Sequence, residues 1–487
     1  MLMSVKERVL KSVFSHRLRA IDGWRDDPRQ VQRDTLHAIL HDARSTEFAL
    51  RHGLGENCSE EEFRSRVSPT DYDSYGYYID RMMSGAKMVA CRGRVDMFAR
   101  SSGTTSSRSK YIPLTRKSQW RCHLRGMADV VTLYLAGNPS SQMFRGRTLT
   151  LGGSCLQEQG YLTGDLSGLL LHNTRYASPL RRPSMRTALM EDFDCKCEAI
   201  VRECVGCDIR ALAGVPSWNL ALMRRVLEST GKADICQVWP GMELFMHGGV
   251  SFAPYRKAFE ELIPSQQMHY VETYNASEGF FAIADDERRD DMLLMMDYGI
   301  YYEFRRGDEV LPLEGVAEGV EYAPVITTCG GLWRYEIGDV VRVTSVRPYR
   351  VKVVGRTRQY INVFGEEVVA ENAERALMEA CRECGCRVEE YSVAPRYMTI
   401  LRPGAHEWYV EFGRRPDDMA RFAEVLDGAL RRINSDYDAK RRSTLSVAEV
   451  VEVPRGGFER WLKGCGRNKV PRLSNDRRVA ESLAEYV

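Results

Sequence analysis

The stretch HYVETYNASEGFFAIAD, residues 269–285, marks the point at which the pattern of this sequence changes. Before it, helical patterns alternate with short apolar runs, which is typical of an α/β protein with buried strands. The helical patterns cover residues 117–136, 191–203, 217–230 and 255–262, and the apolar runs predicted as strands are VVTLYL, RTLTLGG, GLLLHN, IRALAG and ICQVW. From residue 269 onward, strand patterns follow one another closely. The sequence therefore predicts an α/β fold in which sheets are flanked by helices.

The last quarter of the sequence indicates a smaller α/β domain. Beyond Gly365 it contains the helical pattern EEVVAENAERALMEAC, paired strands in YMTILRPGAHEWYVEF, a charged helix over residues 416–432 and a final strand EVVEV. A hinge is expected within residues 355–365. We therefore predict a large N-terminal domain, residues 1–355, and a smaller mobile C-terminal domain, residues 356–487. The basic run KRR, residues 440–442, is expected to be a solvated helix end.

The composition bounds the class of protein. Of the 487 residues, 44% are hydrophobic and 28% are charged, which is typical of a globular chain and not of a disordered one. The 69 Lys and Arg residues nearly balance the 67 Asp and Glu residues, so neither nucleic acid nor a membrane is a predicted partner. The apolar positions of the first 21 residues have helical spacing, which favours a packed amphipathic helix over a transit peptide or surface-binding helix. No apolar run approaches the length of a membrane span, and we predict a cytoplasmic protein.

The cysteines could indicate a metal site or ordinary thiols. The sequence has 14 cysteines, and two groups are clustered: Cys195, Cys197, Cys204 and Cys207, then Cys381, Cys384 and Cys386. A thiolate zinc site needs four ligands at one point in tetrahedral geometry. The first group lies in a helical pattern and the second has only three members. Reduced, partly buried thiols are therefore the expectation, with zinc as the alternative.

The segment RSSGTTSSRSKYIPLT, residues 100–115, is a candidate phosphate-binding loop. Its glycine allows a close backbone approach to a ligand, and its amides and hydroxyls can donate to an oxyanion. The Walker sequence is absent, because ESTGKAD lacks both the first glycine and the hydroxyl residue after the lysine. Clusters of Ser, Gly and Thr also form plain linkers. Taken alone, this segment leaves both interpretations open.

Three later segments favour the phosphate interpretation. In YNASEGFF, Tyr274 precedes a turn of small residues and the single carboxylate Glu278, which suits a base-stacking ring and one oxygen ligand for Mg²⁺. In YEIGDVV, Asp339 follows a glycine and could accept the two hydroxyls of a ribose, although capping a turn is the alternative. In VVGRTRQYINVFGEEV, Arg356 follows a glycine, and a second glycine turn comes after it.

Together these motifs resemble those of the adenylate-forming superfamily, which includes firefly luciferase, acyl-CoA ligases and peptide-synthetase adenylation domains. More narrowly, the sequence is similar to the auxin-responsive Gretchen Hagen family of acyl-acid amido synthetases, in its bacterial branch. The motifs SSGTT, GVPSW, YNASEGFF, Y-x-I-G-D and NKVPRLSNDR occur in that family's order, and the similarity extends over essentially the whole chain. The resemblance implies a large adenylate-forming N-terminal domain with a smaller mobile C-terminal domain.

The resemblance also implies roles for individual residues. The β- and γ-phosphates of ATP would be cradled by Ser101, Ser102, Gly103, Thr104 and Thr105, with Lys110 nearby. The adenine and the α-phosphate side would be held by Tyr274, Asn275, Ala276 and Ser277, and Mg²⁺ would be bound by Glu278. Asp339 would bind the ribose with Arg356 supporting it, and the acyl pocket would be lined by Val215, Pro216 and Trp218. Lys469 matches the C-terminal lysine that enters the site on closure. Its alternative is a surface lysine on a tail, and large apolar residues such as Trp218 could instead be core. Plant members carry a lysine after the hinge I-N, where INVFGEEV has glutamates.

The resemblance implies a two-step ligase. A carboxylic acid would react with Mg-ATP to give an acyl-adenylate. The amine of an amino acid would then displace AMP to form an amide. An acyl-CoA ligase that shares the first step is the alternative, and a non-catalytic nucleotide-binding protein is a further one. The predicted partners are thus a small carboxylic acid and an amino acid. The sequence leaves the oligomeric state open, with a monomer favoured.

Overall fold

The computed structural model describes residues 9, 12–14, 16–100, 110–158, 160–174, 179–357, 359–465 and 469–487 in full, and the backbone of Ser101. Its helices are α1 Leu18–Asp26, α2 Pro28–Ala43, α3 Glu47–Arg51, α4 Glu60–Arg66, α5 Tyr72–Met83, α6 Arg125–Gly137, α7 Leu166–Asn173, α8 Met185–Ala188, α9 Phe193–Cys204, α10 Pro216–Thr230, α11 Arg256–Leu262, α12 Ala370–Glu383, α13 Met419–Ile433, α14 Ser435–Arg441, α15 Gly457–Cys465 and α16 Arg478–Leu483. A helical turn, Arg116–Ser118, and a π-helical segment, Gln119–Leu124, lead into α6.

The strands of the described residues form four sheets. They are β1 Met97–Ser101, β2 Lys110–Pro113, β3 Arg147–Leu151, β4 Cys155–Glu158, β5 Tyr161–Gly164, β6 Arg181–Arg182, β7 Ile209–Gly214, β8 Leu244–Gly248, β9 His269–Ala276, β10 Gly279–Ile283, β11 Met292–Leu294, β12 Ile300–Arg306, β13 Glu309–Pro312, β14 Glu321–Thr328, β15 Tyr335–Glu336, β16 Asp339–Val346, β17 Tyr349–Arg356, β18 Tyr360–Ile361, β19 Val368–Val369, β20 Arg387–Arg396, β21 Ala405–Arg414 and β22 Glu449–Val453.

The largest sheet changes from parallel to antiparallel pairing along its width. Its order is β13-β12-β14-β16-β17-β11-β10-β9-β8-β7-β3-β6, with β15 added beside β14. The strands β6, β3, β7, β8 and β9 pair in parallel, whereas β9 pairs antiparallel with β10. The carboxyl ends of the parallel strands therefore lie along one edge, which is where α/β sheets bind ligands.

The helix α10 leaves that edge directly, and its limits follow from its sequence. Pro216 occupies its first turn, where a missing N–H costs nothing, and Gly231 ends it with a φ of 65°. Its inner face, including Leu220 and Met223, is buried against the sheet side of the molecule. The first turn of α10 is thus fixed at the carboxyl end of β7.

The strand prediction is wrong for three of the apolar runs. VVTLYL lies in α6, GLLLHN lies in α7, and ICQVW contains the 3₁₀ turn Ile235–Gln237. RTLTL and IRALAG are strands β3 and β7 as predicted. A short apolar run is buried in either conformation, so its periodicity does not distinguish a buried helix from a buried strand.

The C-terminal quarter is built on the three-stranded sheet β20-β21-β22, against which α12 and α13 lie. The prediction for the basic run KRR is wrong at two of its three positions. Lys440 is 7% exposed, and Arg441 forms a largely buried ion pair with Asp427; only Arg442 is exposed. The helix α14 carries these residues into contact with the rest of the molecule, where a solvated helix end was expected.

The C-terminal quarter packs on helices of the large sheet. The hydroxyl of Tyr255 donates to the carbonyl of Val363 at 2.7 Å, and that of Ser217 donates to the carbonyl of Phe364 at 3.0 Å. Apolar residues on both sides of residue 355 belong to one buried cluster. The end of the predicted hinge, residues 363–364, is therefore docked on α10 and on the residue that precedes α11. No helix in the described part of the chain has the length and apolar character needed to cross a membrane.

Candidate functional site

The candidate site lies at the carboxyl ends of the parallel strands, where the backbone is tightly packed. A Cβ on Gly248, the last residue of β8, would lie 2.5 Å from the carbonyl oxygen of Thr273 in β9. A Cβ on Gly214, the last residue of β7, would lie 2.3 Å from the carbonyl oxygen of Leu151. Only glycine fits at such distances, so the loops that follow these strands start at a common, closely packed edge.

The candidate phosphate loop connects β1 and β2. Ser101 and Lys110 are register partners at the ends of these antiparallel strands, so the chain leaves and re-enters the sheet at one place. Ser102, Gly103, Thr104 and Thr105 lie outside the described residues, and their roles stay predictions. The Lys110 ammonium lies 5.6 Å from the centroid of the Tyr72 ring. Burial raises the pKa of Glu278 and the charge of Lys110 opposes this shift, so the two candidate residues interact electrostatically.

Glu278 lies in the two-residue turn between β9 and β10. Ala276 and Gly279 are register partners, so Ser277 and Glu278 form the turn itself. Burial raises the pKa of Glu278 above its ordinary value, and the nearby Lys110 charge opposes this shift. Within the described residues, no side chain donates a hydrogen bond to this carboxylate. A half-buried carboxylate that accepts no side-chain hydrogen bond from the described residues suits a divalent ion, since Mg²⁺ binds proteins through one or two carboxylates.

Tyr274, Asp339 and Arg356 form one buried network. The Tyr274 hydroxyl donates to Asp339 Oδ2 at 2.7 Å, and Arg356 Nε donates to Asp339 Oδ1 at 2.9 Å. Asp339 and Arg356 are register partners in β16 and β17. Burial raises the pKa of Asp339, and the charge of Arg356 opposes this shift. Each carboxylate oxygen keeps a second lone pair, so Asp339 can still accept hydrogen bonds from a ligand.

The remaining residues of the YNAS segment continue β9. The Thr273 hydroxyl donates to Asn275 Oδ1 at 3.1 Å, and Asn275 lies opposite Phe280 in β10. Ala276 is half-buried beside the first core cluster. These positions line the edge of the sheet next to Gly248, whose added Cβ would lie 2.9 Å from Asn275 Oδ1.

Sequence reasoning gave no role to the two glutamates after the hinge glycine, and the structure gives each a partner. Arg356 Nη2 donates to Glu367 Oε1 at 2.9 Å, which extends the Asp339 network. Glu366 is fully buried and accepts the N–H of Phe364 at 2.7 Å. The His406 ring nitrogen Nε2 lies 2.9 Å from Glu366 Oε1. Two successive glutamates that follow a glycine were the only sequence signal for this structure.

The predicted acyl-pocket residues start α10. Val215 comes directly after β7 and lies 3.9 Å from the position of a Cβ on Gly249, while Pro216 is buried. Trp218 is half-buried, with its ring 5.8 Å from that of Phe193 between centroids. The Lys440 ammonium lies 4.1 Å from the centroid of the Trp218 ring. Trp218 therefore lies in a seam between α10 and α14, and its role in an acyl pocket stays a prediction.

Lys469 is exposed in this conformation. Among the described residues it forms no hydrogen bond or ion pair with the candidate nucleotide-binding side chains. The segment that follows it is docked on the hinge: Arg472 N donates to Gln359 Oε1 at 2.9 Å, and Asn475 Nδ2 donates to the Tyr360 carbonyl at 3.1 Å. Lys469 thus lies three residues before a segment that contacts the hinge, and its entry into the site stays a prediction.

The cysteines are all free thiols. Of the first predicted cluster, Cys197 and Cys204 are buried in α9 whereas Cys195 is exposed. In the part of the chain that the structure describes, no three His, Cys, Asp or Glu residues converge on a point that could hold a metal ion.

Comparison with family models matches three consecutive parts of the chain. The GH3 family N-terminal domain matches residues 17–155 and 153–268. The GH3 family central domain matches residues 293–356, and the GH3 family C-terminal domain matches residues 371–478. These matches cover most of the sequence.

Plant enzymes are among the similar curated proteins. The indole-3-acetic acid-amido synthetase GH3.4 of Arabidopsis thaliana is 23% identical over 550 residues, which covers 93% of this chain and 91% of the relative. The indole-3-acetic acid-amido synthetase GH3.8 of Oryza sativa subsp. indica is 23% identical and covers 97% of this chain and 92% of its own length. The predicted placement in a bacterial branch stays a prediction.

Solved structures of two kinds share the fold. The AtGH3.15 acyl acid amido synthetase in complex with 2,4-DB has a TM-score of 0.65 at 16% identity, and covers 100% of this chain and 98% of its own. The 2-hydroxyisobutyryl-CoA ligase in complex with 2-HIB-AMP and CoA has a TM-score of 0.55 at 15% identity, and covers 99% of this chain and 92% of its own. These similarities confirm the predicted mixed α/β fold with N- and C-terminal domains.

Proposed function

Because the chain belongs to the GH3 family and is an adenylate-forming amido synthetase, we propose that it uses ATP to join a small carboxylic acid to an amino acid. In the first step an oxygen of the acid attacks the α-phosphorus of ATP, and the bond to the bridging oxygen of pyrophosphate breaks. In the second step the amine nitrogen attacks the carbonyl carbon of the acyl-adenylate. AMP leaves, the amine loses a proton, and an amide forms.

The observation that carries this proposal is the buried network of Tyr274, Asp339 and Arg356 beside the Glu278 turn. An aromatic ring, a carboxylate held by two donors and a neighbouring arginine lie together at the carboxyl edge of the parallel strands. Such an edge suits a nucleotide. We propose that the Tyr274 ring faces the adenine and that Asp339 accepts the ribose hydroxyls. Arg356 holds Asp339 ionised and in place.

Glu278 is the residue that would hold Mg²⁺. When bound, Mg²⁺ neutralises phosphate charge and polarises the phosphoryl oxygens. The chain contributes a carboxylate on a rigid two-residue turn between paired strands, which fixes the position of the ligand oxygen. We propose that Ser101, Ser102, Gly103, Thr104 and Thr105, together with Lys110, orient the β- and γ-phosphates.

In the proposed division into residues 1–355 and 356–487, movement of the small domain would determine when Lys469 reaches the site. Lys469 lies three residues before Arg472, which contacts the hinge, and rotation of the small domain would change its position. A cation delivered only on closure stabilises the charge of the transition state more than that of the ground state. Closure would also exclude water from the reactive anhydride. Val215, Pro216 and Trp218 at the start of α10 are proposed to contact the acyl group.

The test of this function uses the purified full chain and mass spectrometry. The protein is incubated with Mg-ATP, a panel of aryl, indole and aliphatic acids, and either the twenty amino acids or coenzyme A. We expect acid-dependent pyrophosphate exchange and an amide product. Thioester without amide would replace this function with that of an acyl-CoA ligase. Absence of pyrophosphate exchange over the whole panel would favour a non-catalytic nucleotide-binding protein.

Replacing Lys469 with alanine is expected to slow adenylation by about 10²–10³-fold, since it removes a cation from the developing charge. Initial rates of pyrophosphate exchange at saturating ATP measure this effect. The matched control is Lys463→Ala, because Lys463 is an exposed lysine of α15 that pairs with Glu459. Equal rates for the two variants would show that Lys469 is a surface lysine.

A further inference from the structure

The seam between α10 and α14 contains two side-chain donors that make no hydrogen bond to the described residues. The Lys440 side chain is 7% exposed, and its ammonium faces the Trp218 ring at 4.1 Å. That ammonium forms no hydrogen bond or ion pair with any residue that the structure describes. The indole N–H of Trp218 is buried and also lacks a partner within the described chain. A buried N–H without an acceptor is costly, and a largely buried ammonium favours a counter-charge.

The residues around Lys440 do not supply a hydrogen-bond acceptor for its ammonium. The lysine packs against the hinge glycine, because a Cβ on Gly365 would lie 2.9 Å from its Cε and 3.3 Å from its Nζ. Burial lowers the pKa of Lys440, and four carboxylates oppose the shift through space: Asp436, Asp165, Glu366 and Glu367. Two of the four are already committed, since Glu366 pairs with His406 and Glu367 pairs with Arg356. Within the described residues Lys440 donates no hydrogen bond to any of the four carboxylates, so its ammonium can still donate to a ligand.

The seam lies at the same edge of the sheet as the candidate nucleotide site. Trp218 lies in the first turn of α10, three residues after Val215, at the carboxyl end of β7. The Asn362 side-chain amide donates to the carbonyl of Gly249 at 3.4 Å, which ties the hinge segment to the loop after β8. One wall of the seam belongs to the N-terminal part and the other to the C-terminal part. A molecule that enters after adenylation would meet both walls.

On the basis of the proposed function, we propose that Lys440 and the Trp218 indole N–H bind the α-carboxylate of the acceptor amino acid. A carboxylate offers two acceptor oxygens, which matches a cation and one N–H. The carboxyl group of the acid substrate is consumed at the α-phosphate, whereas the acceptor keeps its carboxylate throughout the reaction. A lasting counter-charge is therefore needed for the acceptor.

The experiment compares two acceptors that differ only in this group. The amino acid that gives the most amide in the panel test is compared with its own carboxamide, which keeps the amine and the size but has no charge. For Lys440→Met, we expect kcat/KM to fall about 10–100-fold with the amino acid, the loss typical of a charged hydrogen bond. With the carboxamide it should change by less than about threefold. Trp218→Phe keeps a ring and removes the N–H. It is expected to lower the ratio of kcat/KM with the amino acid to kcat/KM with the carboxamide about fivefold.

The control and the contrary results separate this inference from the proposed function. Arg442→Met removes an exposed cation that follows α14 and pairs with Asp438. Its ratio of kcat/KM with the amino acid to kcat/KM with the carboxamide should therefore match that of the unmodified chain. Equal losses with both acceptors in Lys440→Met and Trp218→Phe would overturn the carboxylate site and leave a structural seam. If the unmodified chain makes no amide with any amino acid, the proposed function itself fails.

Discussion

Replacing Glu278 with glutamine is expected to lower the rate of acyl-adenylate formation about a thousandfold, an effect at the upper end for loss of one electrostatic contact. The amide has nearly the shape of the carboxylate but no charge for a divalent ion. Glu278 lies on a tight turn between paired strands, and Ser277, the other residue of that turn, has no carboxylate. The loss should appear in the rate and in the Mg²⁺ dependence together.

Pyrophosphate exchange measured against Mg²⁺ concentration and pH tests this prediction. Burial raises the pKa of Glu278, so the unmodified chain should lose activity with falling pH at a value above the ordinary glutamate pKa of about 4.3. Glu278→Gln should lack this limb of the profile. The matched control is Glu272→Gln, because Glu272 lies in β9, the strand that leads into the Glu278 turn, and burial also raises its pKa. Activity within about fivefold of the control would contradict the assigned role.

Replacing Arg334 with methionine is expected to lower the free energy of unfolding by about 3–5 kcal/mol, the usual cost of removing one partner of a buried ion pair. Arg334 donates from Nε and Nη2 to the two oxygens of Glu303 at 2.9 and 2.8 Å. Their side chains are 6% and 1% exposed. Arg334 Nη1 also donates to the carbonyl of Val67 at 2.6 Å. The variant leaves a buried carboxylate and a buried carbonyl without these donors.

Urea unfolding followed by fluorescence measures this loss. The control is Arg342→Met, which breaks an exposed ion pair with Glu321 and should cost at most about 1 kcal/mol. Burial already raises the pKa of Glu303, and loss of the Arg334 charge raises it further. A raised folded pKa favours the protonated folded state, so the deficit should grow as pH rises through that pKa. Equal losses for the two variants at neutral pH would show that the pair contributes nothing beyond a surface contact.

The Arg334 pair also bears on the site, because its segment leads to Asp339. Arg334 is followed by the short strand β15 and then by Gly338, after which Asp339 begins β16. A chain that loses its anchor at Arg334 would hold Asp339 less firmly against Tyr274. We therefore expect the Arg334 variant to bind nucleotide more weakly, even where it remains folded.

Local chemistry along the chain was enough to predict several parts of the molecule. Glycine-rich turns, an aromatic residue before a lone carboxylate and a Gly-Asp pair indicated candidate nucleotide-binding residues, because each proposed role depends on residue type and close neighbours; these roles stay predictions. Residues far apart in sequence could be assigned to one family by their order. How Tyr274 meets Asp339 was not predictable, since their contact depends on how strands of one sheet are placed relative to each other.

The sequence by itself determined the family, the α/β class and the kinds of residues that an ATP site would use. Only the tertiary structure decided which apolar runs are helices and which are strands, as VVTLYL and GLLLHN illustrate. It also decided that Lys440 is buried, although the basic run that it forms with Arg441 and Arg442 is typical of a solvated helix end. Burial is a property of two surfaces in contact, and α10 and α14 are distant in sequence. The packing of Lys440 on Trp218 therefore has no local signal in the chain.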